Sequence, residues 1–169
     1  MNYYYIKVDE NYTPPSPTGW YGKINKKAWE GKRAYEMPKH VLFPIEKHMQ
    51  TVFTDVITFP TFMVSAMVRD VIKLYNPFLP FVRIIFFDKS RKKSMAYYLP
   101  FLHQIMGVRK PREEVPSVER EKLENREMIE VFDGSKTWIL CRIDLLESIL
   151  RRGAVGIGAE EGKIMRGRD

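Results

Sequence analysis

Residues 128–153 spell out a hairpin, a helix start and a helix stop in one run, so a chain carrying them must contain a β-β-α unit. MIEVF and TWILCRI are β-prone runs joined by the polar turn DGSK, whose Asp133-Gly134 pair tolerates positive φ. Asp144 precedes Leu145 and Glu147 stands three residues on, the Asp version of a capping box. Leu145, Leu146, Ile149 and Leu150 then form one apolar stripe, and Arg151-Arg152-Gly153 ends it. Arginines suit the negative end of a helix, and glycine suits a left-handed cap. This unit is scaffold, with no chemistry of its own.

The rest of the chain extends the same alternation. Tyr3–Val8 predicts an opening strand with Lys7 in solvent, and Asn11–Gly19, with Pro14, Pro15 and Pro17, predicts a loop. Residues 19–25 suit a short strand, and 26–36 suit either a turn of helix or a polar loop. HVLFPI (40–45) is a strand that Pro44 confines to a sheet edge, and DVITF (55–59) is another. Val64, Met67, Val68, Val71, Ile72 and Tyr75 recur at helical spacing between a Ser65 cap and an Asn76-Pro77 stop, leaving Arg69 and Lys73 solvated. FVRIIFF (81–87) predicts a central strand covered on both faces, with SMAYYLPFL (94–102) as its hairpin partner. Leu102–Val108 suits a short turn of helix. Residues 109–126 suit a mobile connection or an exposed helix starting near Ser117. AVGIG (154–158) is a last short strand, and 159–169 is expected to fray. No repeat is visible. These runs predict an α+β fold: a single domain over 1–169, with a mainly antiparallel sheet packed by two or three helices.

Charge and chemistry narrow the function classes. The net charge of +7 is uneven, with nine basic and two acidic residues in 61–110 against four and eight in 111–133. A basic island beside an acidic one points to an acidic partner or to an internal match. The most apolar stretch, Val56–Ala66, is too short and interrupted to span a bilayer, and MNYYYIKVDE lacks the pattern of a secretory signal. A cytoplasmic protein without membrane association is expected. His40, His48 and His103 are scattered and one cysteine cannot make a zinc site, so neither metal nor cofactor is expected. Cys141 lies within a strand, where a buried, inert thiol is expected. Glu113-Glu114 and Glu160-Glu161 are in polar segments, where neither is driven to act as a general acid. Gly153, Gly156 and Gly158 follow a helix instead of preceding one, which is wrong for a phosphate loop. The remaining sharp feature is Lys89, Arg91, Lys92 and Lys93 between two apolar strands. It is either a solvated turn or a docking site for carboxylates or phosphates.

The order of elements resembles a bacterial immunity-protein family, encoded beside polymorphic toxins and long catalogued as a domain of unknown function. The matching features lie within about residues 55–158: the Ser65-started helix in VSAMVRDVIKLYNP, the Tyr97-Tyr98-Leu99 run, and the Asp144 helix closing on a glycine before a short strand. The basic 89–93 tip departs from what the family would lead one to expect. The resemblance implies a non-enzymatic inhibitor that binds a cognate toxin, with no catalytic residues carried over. The basic island then implies an acidic toxin surface, with Lys89, Arg91, Lys92 and Lys93 at or near the interface. A homodimer is compatible with the aromatic content. A nucleic-acid-binding module, or a small enzyme without a recognisable motif, remains the alternative.

Overall fold

The computed structural model describes residues 1–32, 36–46 and 50–167. The class is α+β, with twelve strands and three helices among the described residues and most strand pairs antiparallel. No helix among them is long and apolar enough to cross a membrane. The chain divides into two compact units. Unit I comprises Met1–Lys7, Leu102–Gly153 and Gly158–Asp169; unit II comprises Val8–Phe101 and Ala154–Ile157.

Unit I is built on the hairpin that the sequence spells out. β9 (Met128–Phe132) and β10 (Thr137–Arg142) pair antiparallel with Phe132 opposite Thr137. β1 (Tyr3–Val8) pairs antiparallel with the other side of β10, so the opening strand is internal to the sheet, and Lys7 reaches Glu160 at 3.5 Å. β11 (Ile157–Glu161) lies outside β1, and β7 (Gln104–Met106) lies parallel to β9 at the opposite edge. Tyr3, Tyr5, Ile129, Val131 and Leu140 meet Ile105, Val115, Val118 and Leu123 in one buried cluster. Burying such side chains contributes roughly 1.5–3 kcal/mol each before entropy is counted.

Several local expectations are corrected here. Residues 102–108 hold the strand β7 where a helical turn is expected, because Ile105 is needed in the core beside Val131. The 109–126 segment is tied to the sheet: the Tyr3 and Tyr5 hydroxyls donate to the carbonyls of Arg126 and Pro116, at 2.9 and 3.0 Å. It carries the strand β8 (Ser117–Glu119) and a 3₁₀ turn (Arg120–Leu123), not a helix from Ser117. In place of fraying from 159, the described part of the tail holds β11 and β12 (Lys163–Met165), which pairs parallel with β8 and sets Ile164 against the core; residues 168 and 169 lie outside the described residues. The helix α3 (Ile143–Leu150) starts one residue after β10, so Arg142 is its cap and Asp144 falls inside the first turn. No capping box forms. Asp144 instead accepts from the Arg142 guanidinium at 2.7 and 2.9 Å and from the Leu145 amide. The helix does stop at Gly153, where φ is +77° and the amide donates to Leu150 O.

Unit II follows the same plan. β5 (Phe81–Asp88) and β6 (Lys93–Pro100) form the central hairpin. β2 (Val41–Pro44) runs parallel to β5 at the edge, where Pro44 needs no donor. β4 (Met63–Ser65) and β3 (Val56–Ile57) continue antiparallel beyond β6. β5 is central in position but alternates: Val82, Ile84, Phe86 and Asp88 are buried, while Phe81, Ile85 and Phe87 are half-buried and Arg83 is exposed. Tyr97 faces the core and its hydroxyl donates to Thr54 O at 2.7 Å, whereas Tyr98 faces outward under the Arg69 guanidinium at 4.0 Å. Arg69 is therefore engaged by an aromatic face as well as by Asp70. α2 (Ala66–Tyr75) begins where expected, its Ser65 hydroxyl accepting from Val68 N, and it buries Val68, Val71 and Ile72. α1 (Lys26–Trp29) is a single turn that buries Trp29. Residues 19–25 form turns instead of a strand, with positive φ at Gly19 and Gly22.

The segment 154–157 is stitched into unit II by backbone bonds between Asp55 and Val155, and from Asp9 N to Gly156 O. Gly156 has φ +76°, and a Cβ there would stand 2.4 Å from Thr54 Cγ2. Gly134 also has positive φ, but a Cβ there meets nothing within 4 Å. Gly156→Ala is therefore expected to destabilise by about 3 kcal/mol and Gly134→Ala by about 1 kcal/mol. Urea denaturation of the two variants checks the order; equal losses would contradict the close approach to Thr54.

Candidate functional site

The four cations singled out by the sequence lie together at the tip of the β5–β6 hairpin, and all four are exposed. The tip is organised by the nearly buried Asp88, paired across the hairpin with Lys93. Its Oδ1 accepts from the Ser90 amide at 2.9 Å, the Ser90 hydroxyl at 2.6 Å and the Arg91 amide at 3.2 Å. The Ser90 hydroxyl is the main influence holding this carboxyl below the usual carboxylate range; burial opposes it, and the backbone amides and Arg91 add to it.

The structure separates the four side chains into two kinds. Arg91 folds back: its Nε lies 3.6 Å from Asp88 Oδ2, and Nη1 donates to Thr51 O at 3.2 Å. Lys89, Lys92 and Lys93 have no carboxylate within salt-bridge distance among the described residues, and Lys89 Nζ lies 5.9 Å over the Phe87 ring. Lys92 sits at φ +52°, a left-handed position that glycine occupies with less strain. Three exposed lysines therefore extend from a turn closed by the hydrogen bonds of Asp88, with one guanidinium bracing it.

A second turn of the same construction closes the β9–β10 hairpin of unit I. Asp133 Oδ1 accepts from Ser135 N and Oγ, both at 2.8 Å, and from Lys136 N at 2.9 Å. Its Oδ2 accepts from Arg109 Nε at 2.8 Å and Trp138 Nε1 at 2.9 Å. The Asp133 side chain has 0% exposure. Burial alone would raise its pKa. The donors from Lys136, Trp138 and Ser135 outweigh it and hold the carboxyl well below the usual range. Lys136 Nζ lies 3.5 Å above the Trp138 ring, and Tyr5 meets that indole edge-on at 5.7 Å. The shared pattern is Phe-Asp-x-Ser followed by a cation, at 87–91 and 132–136. It was available in the sequence, where Asp133 and Gly134 are instead read for positive φ.

Several of the other candidate groups are tied up in structure. Burial pushes the Cys141 thiol far above its ordinary pKa, so it is no nucleophile at neutral pH. Glu113 is held low, chiefly by the Lys110 amide, and Asp144 chiefly by Arg142. Every resolved carboxyl shift is thus downward, the wrong direction for a general acid. Among the described residues no group of three metal-ligating side chains forms; His40 and His103 fall in different units, and His48 lies outside the described residues. No family model matches the chain, and no curated protein matches its sequence.

Two outcomes follow from these turns. Asp133→Asn replaces an acceptor by a donor facing donors, and is expected to cost about 3 kcal/mol at pH 7. Because the folded pKa is depressed, Asp133 stabilises fully above its unfolded pKa of about 4, and this is lost as pH falls through the folded value. The gap between parent and variant in urea denaturation should therefore narrow below about pH 4; a gap independent of pH would contradict the assignment. Lys92→Gly relieves a left-handed lysine, so thermal unfolding should show no fall in Tm.

Proposed function

We propose that this chain is a non-enzymatic inhibitor, an immunity protein that binds and neutralises a cognate bacterial toxin in the cytoplasm. The observation that carries the reading is the β5–β6 tip, where Lys89, Lys92 and Lys93 project from a turn locked by Asp88. Such a turn presents charge without first having to be ordered, which favours association with an acidic surface. Lys92 takes the left-handed position of this turn and is exposed there. The resemblance over residues 55–158 supports an immunity role; the Cys141 thiol is shifted up, and the Asp88 and Asp133 carboxyls down, each away from the value a nucleophile or general acid needs.

The test uses the C-terminal domain encoded by the gene immediately upstream, co-expressed with the full chain. Protection of growth and a measurable complex are expected. In the triple variant Lys89→Glu, Lys92→Glu, Lys93→Glu the association rate should fall on the order of 10²-fold at low salt, with a flatter salt dependence. Unchanged affinity and salt dependence would remove the tip from the interface. An upstream gene without toxicity, or a chain that shifts generic duplex DNA with a steep salt response, would sink the immunity reading in favour of nucleic-acid binding.

A further inference from the structure

Unit II carries a second exposed feature: an aromatic knuckle on the turn that follows the proline-rich loop. Trp20 packs half-buried against the core that includes Phe43, Ile84 and Tyr97. Its indole meets Tyr21 edge-on at 5.8 Å and Phe59 edge-on at 5.4 Å. Tyr21 is 88% exposed and Phe59 is 55% exposed. A lone ring in water requires no explanation. Here two solvent-facing rings share one anchored indole, and the backbone around Trp20 and Tyr21 is turned tightly between Gly19 and Gly22, at φ +65° and +74°. The two rings thus flank an indole that is itself anchored on the core, and aromatic clusters of this kind are typical of binding hot spots.

The charges around this knuckle select its occupant. Lys23 continues the same turn, its amide donating to Trp20 O at 2.9 Å, and Lys27 stands exposed on α1. Residues 19–32 hold four lysines and one glutamate, and unit II as a whole holds fourteen basic and eight acidic residues, against fourteen and thirteen in unit I. A second copy of the chain would bring lysines against lysines. An acidic protein surface would place its carboxylates against Lys23 and Lys27 while its apolar side chains cover the rings.

We infer that Trp20, Tyr21 and Phe59 form the apolar anchor for the same acidic protein partner that the lysine tip attracts. This rests on the inhibitor reading above and adds a division of labour: lysines set the rate of encounter, and rings set the lifetime of the complex.

The experiment is surface-plasmon-resonance kinetics of the full-length chain against the domain encoded by the upstream gene. Tyr21→Ala with Phe59→Ala should raise the dissociation rate on the order of 100-fold while leaving the association rate within about threefold. The lysine-tip variant should show the reverse. Tyr21→Phe keeps the ring and should bind like the parent, and near-UV circular dichroism of each variant should report an unaltered core. A parent that binds while the double alanine variant matches it overturns this inference and leaves the inhibitor reading standing. A parent that neither binds nor protects overturns both. Two further results would overturn the choice of occupant. One is tight, ring-dependent binding of oligothymidylate, the mark of base stacking; the other is a dimer in solution that the double variant dissolves.

Discussion

Each five-stranded sheet depends on a hairpin whose register is held by one carboxylate. A hairpin slipped by a single residue turns every core side chain to the wrong face, so the turn must discriminate strongly between adjacent registers. Asp133 and Asp88 do this with the same bonds: one oxygen accepts from the amide and hydroxyl two residues on, and from the amide three residues on. Only the native register brings those donors together with a following strand whose Leu140, or whose Tyr97 and Leu99, enters the core. In unit I the second oxygen also recruits Arg109 and Trp138, so the turn fixes the position of β7's continuation and of an indole as well. Charged acceptors of this kind contribute roughly 1.5–3 kcal/mol per bond, which is a large share of the net stability of a small protein.

What the sequence made legible was whatever is encoded within a few residues. Ser65 and Asn76 bound α2 as expected, Gly153 ends α3, Pro44 marks an edge strand, and the two long hairpins sit on their predicted runs. Three of the failures share one cause. β7, β8 and β12 are three residues each, and their partners lie far along the chain, so no local periodicity announces them. Val115, Val118 and Leu123 stand among charges in the chain, and the tyrosines that hold their segment come from the first strand. Asp144 is the instructive local miss. The spacing to Glu147 fits a capping box, but β10 hands over to the helix two residues earlier, and Arg142 claims the carboxylate.

The candidate site was legible as a set of residues and not as a mechanism. Four cations in five positions could be read directly, but nothing in FFDKSRKKS distinguishes a brace from a probe. The distinction comes from Thr51, whose carbonyl receives Arg91 across 40 positions of sequence. The aromatic knuckle was hidden in the same way: Tyr21 and Phe59 are ordinary core candidates by composition, and only the fold leaves them in water beside Trp20.

The two units differ more in charge than in plan. Both place a short parallel strand outside the first strand of a central hairpin and antiparallel structure beyond the second, and both close the hairpin with an Asp-x-Ser turn. Their surfaces differ although both aspartates take the same donors, the amide and hydroxyl of the serine and the amide after it. In unit I Lys136 lies over Trp138, covering an aromatic face. In unit II the lysines face solvent, and the excess positive charge of the chain collects there. An aspartate that secures the backbone from inside lets the outer side chains change without loss of the fold.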